Sequence, residues 1–205
     1  KSLRCGCHAS RRERAGMAKA ARKGAKFIIA CGGDGTINEA ANGVLESGAD
    51  CEFGILPSGT GGDFRRTLEI PSQSRTAASI LSKGRTVKID VGRVSFVDHN
   101  GNEAMRYFVG VASCGMSTKV IERVKKDKVS FASSLLQTAM RTTPTRLAVQ
   151  IDDSHERHLN VLNLCIANAR YFGGGMKIAP DAKLTDGKFD VVGVGDLSAL
   201  KIFTS

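Results

Sequence analysis

The chain reads Phe27-Ile28-Ile29-Ala30-Cys31-Gly32-Gly33-Asp34-Gly35-Thr36 at the junction between an apolar run and a glycine-rich turn. The short apolar run is typical of a buried parallel strand. After the turn, apolar residues recur at the spacing of one face of an amphipathic helix. These are Ile37, Ala40, Ala41, Val44 and Leu45. The pattern therefore predicts a strand, a tight turn and a helix.

The turn has the composition of a phosphate-binding loop. Gly32, Gly33 and Gly35 allow positive φ and carry no side chains, so that several backbone N–H groups can converge on an anion at the positive end of the helix. Asp34 would repel phosphate unless it holds a metal ion or accepts hydrogen bonds. A plain strand-to-helix turn remains the alternative for a single glycine motif.

A second glycine-rich turn follows a second apolar run. Phe53-Gly54-Ile55-Leu56 predicts another strand, and Pro57 to Arg66 contains four residues of interest, Gly59, Thr60, Gly62 and Asp63. The carboxyl ends of parallel strands meet at the edge of an open α/β sheet where ligands bind. We therefore expect the two turns to lie side by side.

Three stretches together resemble a known family. They are Gly32 to Thr36 with Asn38-Glu39 and Asn42-Gly43, then Leu56 to Thr60 with Asp63-Phe64, and finally Tyr171 to Met176 with Ile178 to Ala182 and Thr185 to Gly187. They resemble the catalytic domain of the diacylglycerol kinase and sphingosine kinase family, particularly its bacterial-type soluble lipid kinases. The first motif is shared with NAD kinases and phosphofructokinases, but the other two are not. The resemblance spans roughly residues 8 to 195.

The resemblance and the pattern imply an α/β architecture of two domains. Residues 1–84 are expected to form a Rossmann-like parallel-sheet nucleotide-binding domain, and residues 85–205 an all-β antiparallel sandwich that contributes the substrate side. The boundary is placed near Gly84 because apolar and polar residues alternate from Val87 to Val91 and a turn signal follows at 98–101. In the family, nucleotide binds in the cleft between the domains.

Several further elements are predicted from local signals. A basic, alanine-rich helix should end near Gly24, and a helix capped by Ser72 should end at Gly84. Met116 to Lys128 is expected to form a helix. Strands should flank the turn at 152–154, and another should cover 189–194.

The family implies an ATP-dependent lipid kinase that transfers the γ-phosphate of ATP to a hydroxyl of a diacylglycerol-like or sphingoid lipid, with Mg²⁺. The nucleotide-binding positions carried over are Gly32, Gly33, Asp34, Gly35, Thr36, Ile37, Asn38, Gly59 and Thr60. Asp34 would bind Mg²⁺ directly or through water, and Asp63 would face the transferred group. Loop capping is the alternative for Thr60 and Asp63, and first-turn helix chemistry is the alternative for Asn38.

A second, structural Mg²⁺ is implied in Lys183-Leu184-Thr185-Asp186-Gly187-Lys188. Its ligands would be the Asp186 carboxylate and the main-chain carbonyls of Lys183 and Lys188. A plain Asp-Gly β-turn explains the same residues without a metal.

The general base is left unassigned. In the family a carboxylate of an Asp-Gly-Glu motif late in the second domain is thought to deprotonate the lipid, and this chain contains no Asp-Gly-Glu. The alternatives are therefore a catalytically inactive nucleotide- or lipid-binding module and, less in keeping with the second and third motifs, an NAD kinase relative. The ends at Lys1 and Ser205 suggest an internal piece of a longer protein, for which weak nucleotide binding and no transfer are expected.

Composition favours an anionic partner. The net charge is +10, and no apolar run reaches the length of a membrane span. With no Trp, two Tyr and no nucleic-acid motif, an anionic membrane surface is preferred to nucleic acid. We expect a cytoplasmic protein that is peripheral at the membrane, with a homodimer among the assemblies to test.

The six cysteines show no disulfide framework, and Cys5-Gly6-Cys7-His8 is too closely spaced for a zinc site.

Overall fold

A computed structural model describes residues 11–115, 143–195 and 201–203, with side chains described over 14–115 and 143–195. The first part of the chain alternates helices and strands. Its elements are α1 (Arg11–Arg22), β1 (Phe27–Gly32), α2 (Asp34–Ser47), β2 (Glu52–Pro57), α3 (Asp63–Thr67) and α4 (Ser74–Lys83). The remaining described elements are strands. They are β3 (Gly92–Val97), β4 (Glu103–Phe108), β5 (Val111–Gly115), β6 (Thr145–Val149), β7 (Arg157–Val161), β8 (Asn163–Ala167), β9 (Tyr171–Phe172), β10 (Met176–Lys177), β11 (Asp190–Val194) and β12 (Lys201–Phe203).

The N-terminal half contains the predicted parallel pair. β1 and β2 run in register from Phe27 opposite Glu52 to Gly32 opposite Pro57. Helices α1 and α2 pack closely at Gly43. A Cβ at this position would lie 2.4 Å from the Arg14 carbonyl oxygen, so the contact requires glycine. The predicted order of strand, turn and helix around Asp34 is therefore confirmed.

The second half is antiparallel. β12, β11, β8 and β5 form one four-stranded sheet in that order, while β3–β4, β6–β7 and β9–β10 form two-stranded hairpins. The predicted α/β fold class, with a parallel sheet and helices followed by antiparallel strands in a sandwich-like domain, is confirmed. The largest buried cluster draws on both halves, since Ile37 and Ile55 share it with Val109 and Ala169. The boundary near Gly84 stays a prediction.

Two local predictions are wrong, and a third falls on residues that the structure does not describe. The alternation from Val87 to Val91 is not a strand, and β3 begins only at Gly92. Ile89 and Val91 pack against this buried cluster, whereas Val87 is 65% exposed, so core packing accounts for the last two apolar positions of the alternation. Ser72 does not cap α4, which begins at Ser74 after Gln73. The helix expected over 116–128 lies outside the described residues.

Other predictions hold. Asp98 closes the β3–β4 hairpin by accepting the N–H groups of Asn100 and Asn102, and the hairpin β6–β7 flanks 152–154. In the part of the chain that is described, the helices are too short or too polar to span a bilayer.

Candidate nucleotide site

The two glycine-rich loops touch at the carboxyl edge of the β1–β2 pair. The Ser58 N–H donates to the Gly32 carbonyl at 3.1 Å. A Cβ on Gly59 would lie only 2.3 Å from the Gly33 Cα, so that the backbones of the two loops are in direct contact. The expectation that the turns lie side by side is confirmed at the level of atoms.

The glycines of the first loop allow close contacts between backbone and side-chain atoms and do not adopt the expected positive φ. None of Gly32, Gly33 and Gly35 has positive φ, whereas Gly62 in the second loop does, at 66°. A Cβ on Gly32 would lie 2.5 Å from the Thr36 side chain. The prediction of positive φ in the first loop is therefore wrong, and the need for close approach explains Gly32 and Gly33.

The first loop opens the 14-residue helix α2. Gly33 is its N-cap and supplies no side-chain hydrogen bond. The first N–H groups of a helix have no intrahelical acceptors, and they carry the positive end of its dipole. Uncapped N–H groups next to Thr36 are suited to an anion such as phosphate.

Asp34 binds the second loop. Its carboxylate accepts the N–H of Asp63 at 3.1 Å and the N–H of Phe64 at 2.9 Å. These are the first two residues of α3, whose N-cap Gly62 has no side chain to offer. A Cβ on Gly61 would lie 2.8 Å from Asp34 Oδ2, which explains the neighbouring glycine. Asp34 thus caps α3 from another part of the chain.

Asp63 joins the third motif to the first two. Its Oδ2 accepts the Gly174 N–H at 2.8 Å, and its Oδ1 accepts from Arg66 at 3.2 Å. Gly173, Gly174 and Gly175 all have positive φ, at 70°, 89° and 111°. A side chain would be strained at each of these positions, so the glycine run is required by its own turn. The three motifs of the sequence therefore meet at α3.

The remaining nucleotide positions differ in accessibility. Gly59 and Thr60 are exposed on the second loop. The side chain of Ile37 is buried, with 2% exposed, and its backbone N–H already donates to the Gly33 carbonyl at 3.0 Å. Asn38 is half-buried and is the fifth residue of α2, just past the first turn. Its carbonyl accepts a hydrogen bond from Asn42 Nδ2 at 2.8 Å.

Asn42 has a structural part that the sequence did not reveal. It is fully buried, and it pairs with the Tyr107 backbone by donating to the carbonyl at 2.8 Å and accepting the N–H at 2.9 Å. The Asn42 side chain thus satisfies the two backbone groups of Tyr107 in β4 as a paired strand would. Glu39 forms an ion pair with Arg106 at 3.2 Å beside it. Together these contacts attach α2 to the β3–β4 hairpin.

The proposed second metal loop forms a turn that contacts Asp90. Asp186 Oδ1 accepts the Lys188 N–H at 3.1 Å, and the Gly187 N–H donates to Asp90 Oδ2 at 2.7 Å. Asp90 was missed, because nothing in the residues around it marks a distant partner. These hydrogen bonds connect the 183–188 loop to Asp90 and not to the glycine loops. Asp34 and Asp63, by contrast, are connected directly, since the Asp34 carboxylate accepts the Asp63 N–H.

Three carboxylates, those of Asp181, Asp186 and Asp190, lie near one another at that loop. The pKa of Asp190 is raised above its ordinary value by burial first and then by the charges of Asp186 and Asp181. A cation here would relieve the repulsion. Over 14–115 and 143–195, however, no group of three or more His, Cys, Asp or Glu side chains is arranged to hold a metal ion. A site at this loop would depend on main-chain carbonyls.

Two family models match the chain. Residues 6–94 match the diacylglycerol kinase catalytic domain, and residues 109–205 match the YegS C-terminal NAD kinase beta sandwich-like domain.

Curated relatives carry consistent names. A probable lipid kinase YegS-like of Klebsiella pneumoniae is 34% identical over 183 residues, which is 86% of this chain and 56% of the relative. A diacylglycerol kinase of Mycobacterium tuberculosis is 30% identical over 181 residues, 85% of this chain and 57% of the relative. The chain therefore spans a little over half the length of these relatives.

A solved structure agrees with the fold. The crystal structure of a diacylglycerol kinase from Bacillus anthracis superposes with a TM-score of 0.67 at 26% identity, covering 90% of this chain and 58% of that one. Residues 6–94 and 109–205 match these two family models in sequence and the architecture is matched in structure, so the chain combines a diacylglycerol kinase catalytic domain with a YegS C-terminal NAD kinase beta sandwich-like domain.

Proposed function

We propose that the protein containing this chain is an ATP-dependent lipid kinase that transfers the γ-phosphate of ATP to a lipid hydroxyl, diacylglycerol-like or sphingoid. The observation that carries the proposal is the direct contact between the two glycine loops, fixed by the Asp34 carboxylate at the uncapped N-terminus of α2. Such an edge suits the phosphates of a nucleotide. The names of the relatives support a lipid as acceptor.

The first loop supplies most of the proposed nucleotide contacts. The backbone of Gly32, Gly33 and Gly35 and the hydroxyl of Thr36 would hold phosphates, with Ile37 behind them, since its N–H donates to the Gly33 carbonyl. Asn38, Gly59 and Thr60 would complete the site from the rim of the cleft. Phosphoryl transfer depends chiefly on such positioning and on neutralising charge.

Asp34 and Asp63 fit a hydrated Mg²⁺. Each oxygen of Asp34 accepts one backbone N–H, and a carboxylate oxygen has room for a second contact. Asp63 lies directly beside it and has its own two contacts, to Arg66 and Gly174. When bound, the metal would supply charge neutralisation on the transferring phosphoryl group. The part of Asp34 and Asp63 is to orient it and to hold the three loops in place.

The Asp186 loop is proposed as a second, structural Mg²⁺ site. One Asp186 oxygen and the carbonyls of Lys183 and Lys188 would be its ligands, and the negative surroundings of Asp190 favour a cation. Calcium- or magnesium-type sites built from one carboxylate and carbonyls are chemically reasonable. No proton acceptor for the lipid hydroxyl is proposed within this chain.

The decisive experiment is transfer of labelled phosphate from ATP by the protein that contains this chain. The acceptor panel is diacylglycerol, phosphatidylglycerol, a sphingoid base and NAD. Labelling of one of the three lipids supports the proposal. Labelling of NAD alone would favour an NAD kinase relative, and nucleotide binding without any transfer would favour an inactive binding module.

The partner surface is proposed to be an anionic membrane, to which the protein binds peripherally from the cytoplasm. The net charge of +10 should give binding to anionic vesicles that falls steeply with salt, since exposed charges are screened beyond about 10 Å at 0.1 M. Equal sedimentation with neutral and anionic vesicles would contradict this. Analytical ultracentrifugation tests the proposed homodimer.

A further inference from the structure

The segment 170–174 is attached to α3 at both ends of that helix. At the N-terminal end, the Gly174 N–H donates to Asp63 Oδ2 at 2.8 Å. At the C-terminal end, the Arg170 N–H donates to Thr67 Oγ1 at 3.1 Å, and Arg170 Nη2 donates to the Thr67 carbonyl at 2.9 Å. Two groups four residues apart in one segment thus bracket a helix five residues long.

Thr67 connects the two ends of this bracket. It is buried, with 6% exposed, and its hydroxyl donates to the Asp63 carbonyl at 3.4 Å while accepting from the Arg170 N–H. A threonine hydroxyl has one donor and two acceptor positions, so it can make both bonds at once. A displacement of Arg170 therefore acts on Asp63 by two routes, through Thr67 and through Gly174.

The segment is itself anchored on its other side. The N–H groups of Asn168 and Ala169 donate to the Gly110 carbonyl at 2.9 and 3.2 Å. Asn168 is fully buried and donates to the carbonyls of Asp90 and Val109. The segment thus has a firm base in the second half of the chain, and Arg170 is the first residue beyond that base to reach α3.

We infer that Arg170 is a positioning residue of the phosphoryl-transfer site, which fixes segment 170–174 against both ends of α3 and thereby orients the Asp63 carboxylate. The inference rests on the proposed function for its link to transfer, but the bracket itself is a property of the fold. Arg170 also has an outer contact to Glu69 at 3.4 Å, whose side chain is 80% exposed. Because an exposed pair is screened, that contact is expected to contribute little.

The test combines exchange of backbone amides with kinetics. Arg170→Met removes the guanidinium and keeps the aliphatic stem, and Thr67→Val removes the hydroxyl at nearly constant volume. Each should speed exchange of the Arg170 and Gly174 amides by roughly 2- to 10-fold, the equilibrium worth of one hydrogen bond. Thr67→Ser should restore the parent exchange rates, and Glu69→Gln, which removes only the charge of the outer contact, should leave them unchanged.

Kinetics separate positioning from direct contact. In the protein that contains this chain, Arg170→Met and Thr67→Val should lower kcat with little change in KM for ATP, since neither residue lies on the glycine loops. A lower kcat without faster Gly174 exchange would overturn the inference, because Arg170 would then act on substrate directly. Equal effects from Glu69→Gln would also overturn it. If the parent protein transfers no phosphate, the proposed function fails, while the exchange rates still decide whether the bracket exists.

Discussion

The carboxylate of Asp34 accepts the backbone N–H of Phe64 at 2.9 Å, although the two residues stand 30 positions apart. Its other oxygen accepts the N–H of Asp63. A residue from the first glycine loop thus caps the helix that opens from the second loop. The negative charge in the phosphate loop therefore has a structural reason, in addition to the proposed role with Mg²⁺.

Asp34→Asn should affect both stability and transfer. The asparagine side chain keeps one oxygen to accept one of the two backbone N–H groups, of Asp63 and Phe64, but presents an N–H₂ group to the other. The free energy of unfolding should therefore fall by about 1–2 kcal/mol. Loss of the charge should lower transfer by roughly 10²-fold or more. Denaturant unfolding and a kinase assay measure the two effects, with the exposed Asp50→Asn as the matched control. Normal turnover with an unchanged Mg²⁺ requirement would reduce Asp34 to a purely structural residue.

Gly59→Ala should separate the two loops. Its Cβ would lie 2.3 Å from Gly33 Cα and 2.8 Å from Gly33 N, which are backbone atoms that cannot rotate away. Overpacking of this kind costs about 1–3 kcal/mol, so nucleotide affinity should fall by roughly tenfold or more. Isothermal titration with Mg-ATP provides the measurement. Gly110→Ala is the control, since no atom lies within 4 Å of its added Cβ. Unchanged affinity in Gly59→Ala would mean that the loop contact is not needed for binding.

Asn42→Ala should destabilise the fold without touching the glycine loops. It leaves the N–H and the carbonyl of Tyr107 without their partner. Two unsatisfied backbone groups at this half-buried residue cost about 2–6 kcal/mol in the free energy of unfolding. Urea denaturation tests this against Asn100→Ala in the exposed hairpin turn, which should stay within about 0.5 kcal/mol of the parent. Equal stability of the two variants would show that water replaces the amide.

Cys165 should resist alkylation. Burial raises the pKa of its thiol to about 11, despite the hydrogen bond that Asn163 donates to Sγ at 3.1 Å. At pH 8 only about one thiol in a thousand would then be ionised, and the side chain has no exposed surface. Cys114, which is exposed, should react with iodoacetamide before Cys165, as read from peptide masses. Alkylation of Cys165 at the same rate in the folded protein would mean that the β5–β8 sheet opens readily.

Local pattern predicted the elements that surround the site, because strand, turn and helix signals lie within a few residues of one another. The same pattern misread Val87 to Val91, where Ile89 and Val91 pack against distant core residues without forming a strand and Val87 is exposed. The partners of Asp34, Asn42 and Asp90 could not be predicted, since each lies 29 or more residues away and backbone groups carry no sequence signature. The sequence identified the motif glycines, but it did not predict which atoms lie close to them, such as the Gly33 backbone beside Gly59.

The central claim is that the touching glycine loops hold the phosphates of ATP. Amide chemical shifts of the protein that contains this chain, followed during titration with Mg-ATP, test it directly. We expect the largest shifts on Gly33, Gly35, Thr36, Gly59 and Thr60, with smaller shifts at Asp63 and Gly174, and we expect Gly59→Ala to suppress them. Saturable shifts confined to other residues, or equal shifts in the Gly59→Ala variant, would contradict the claim.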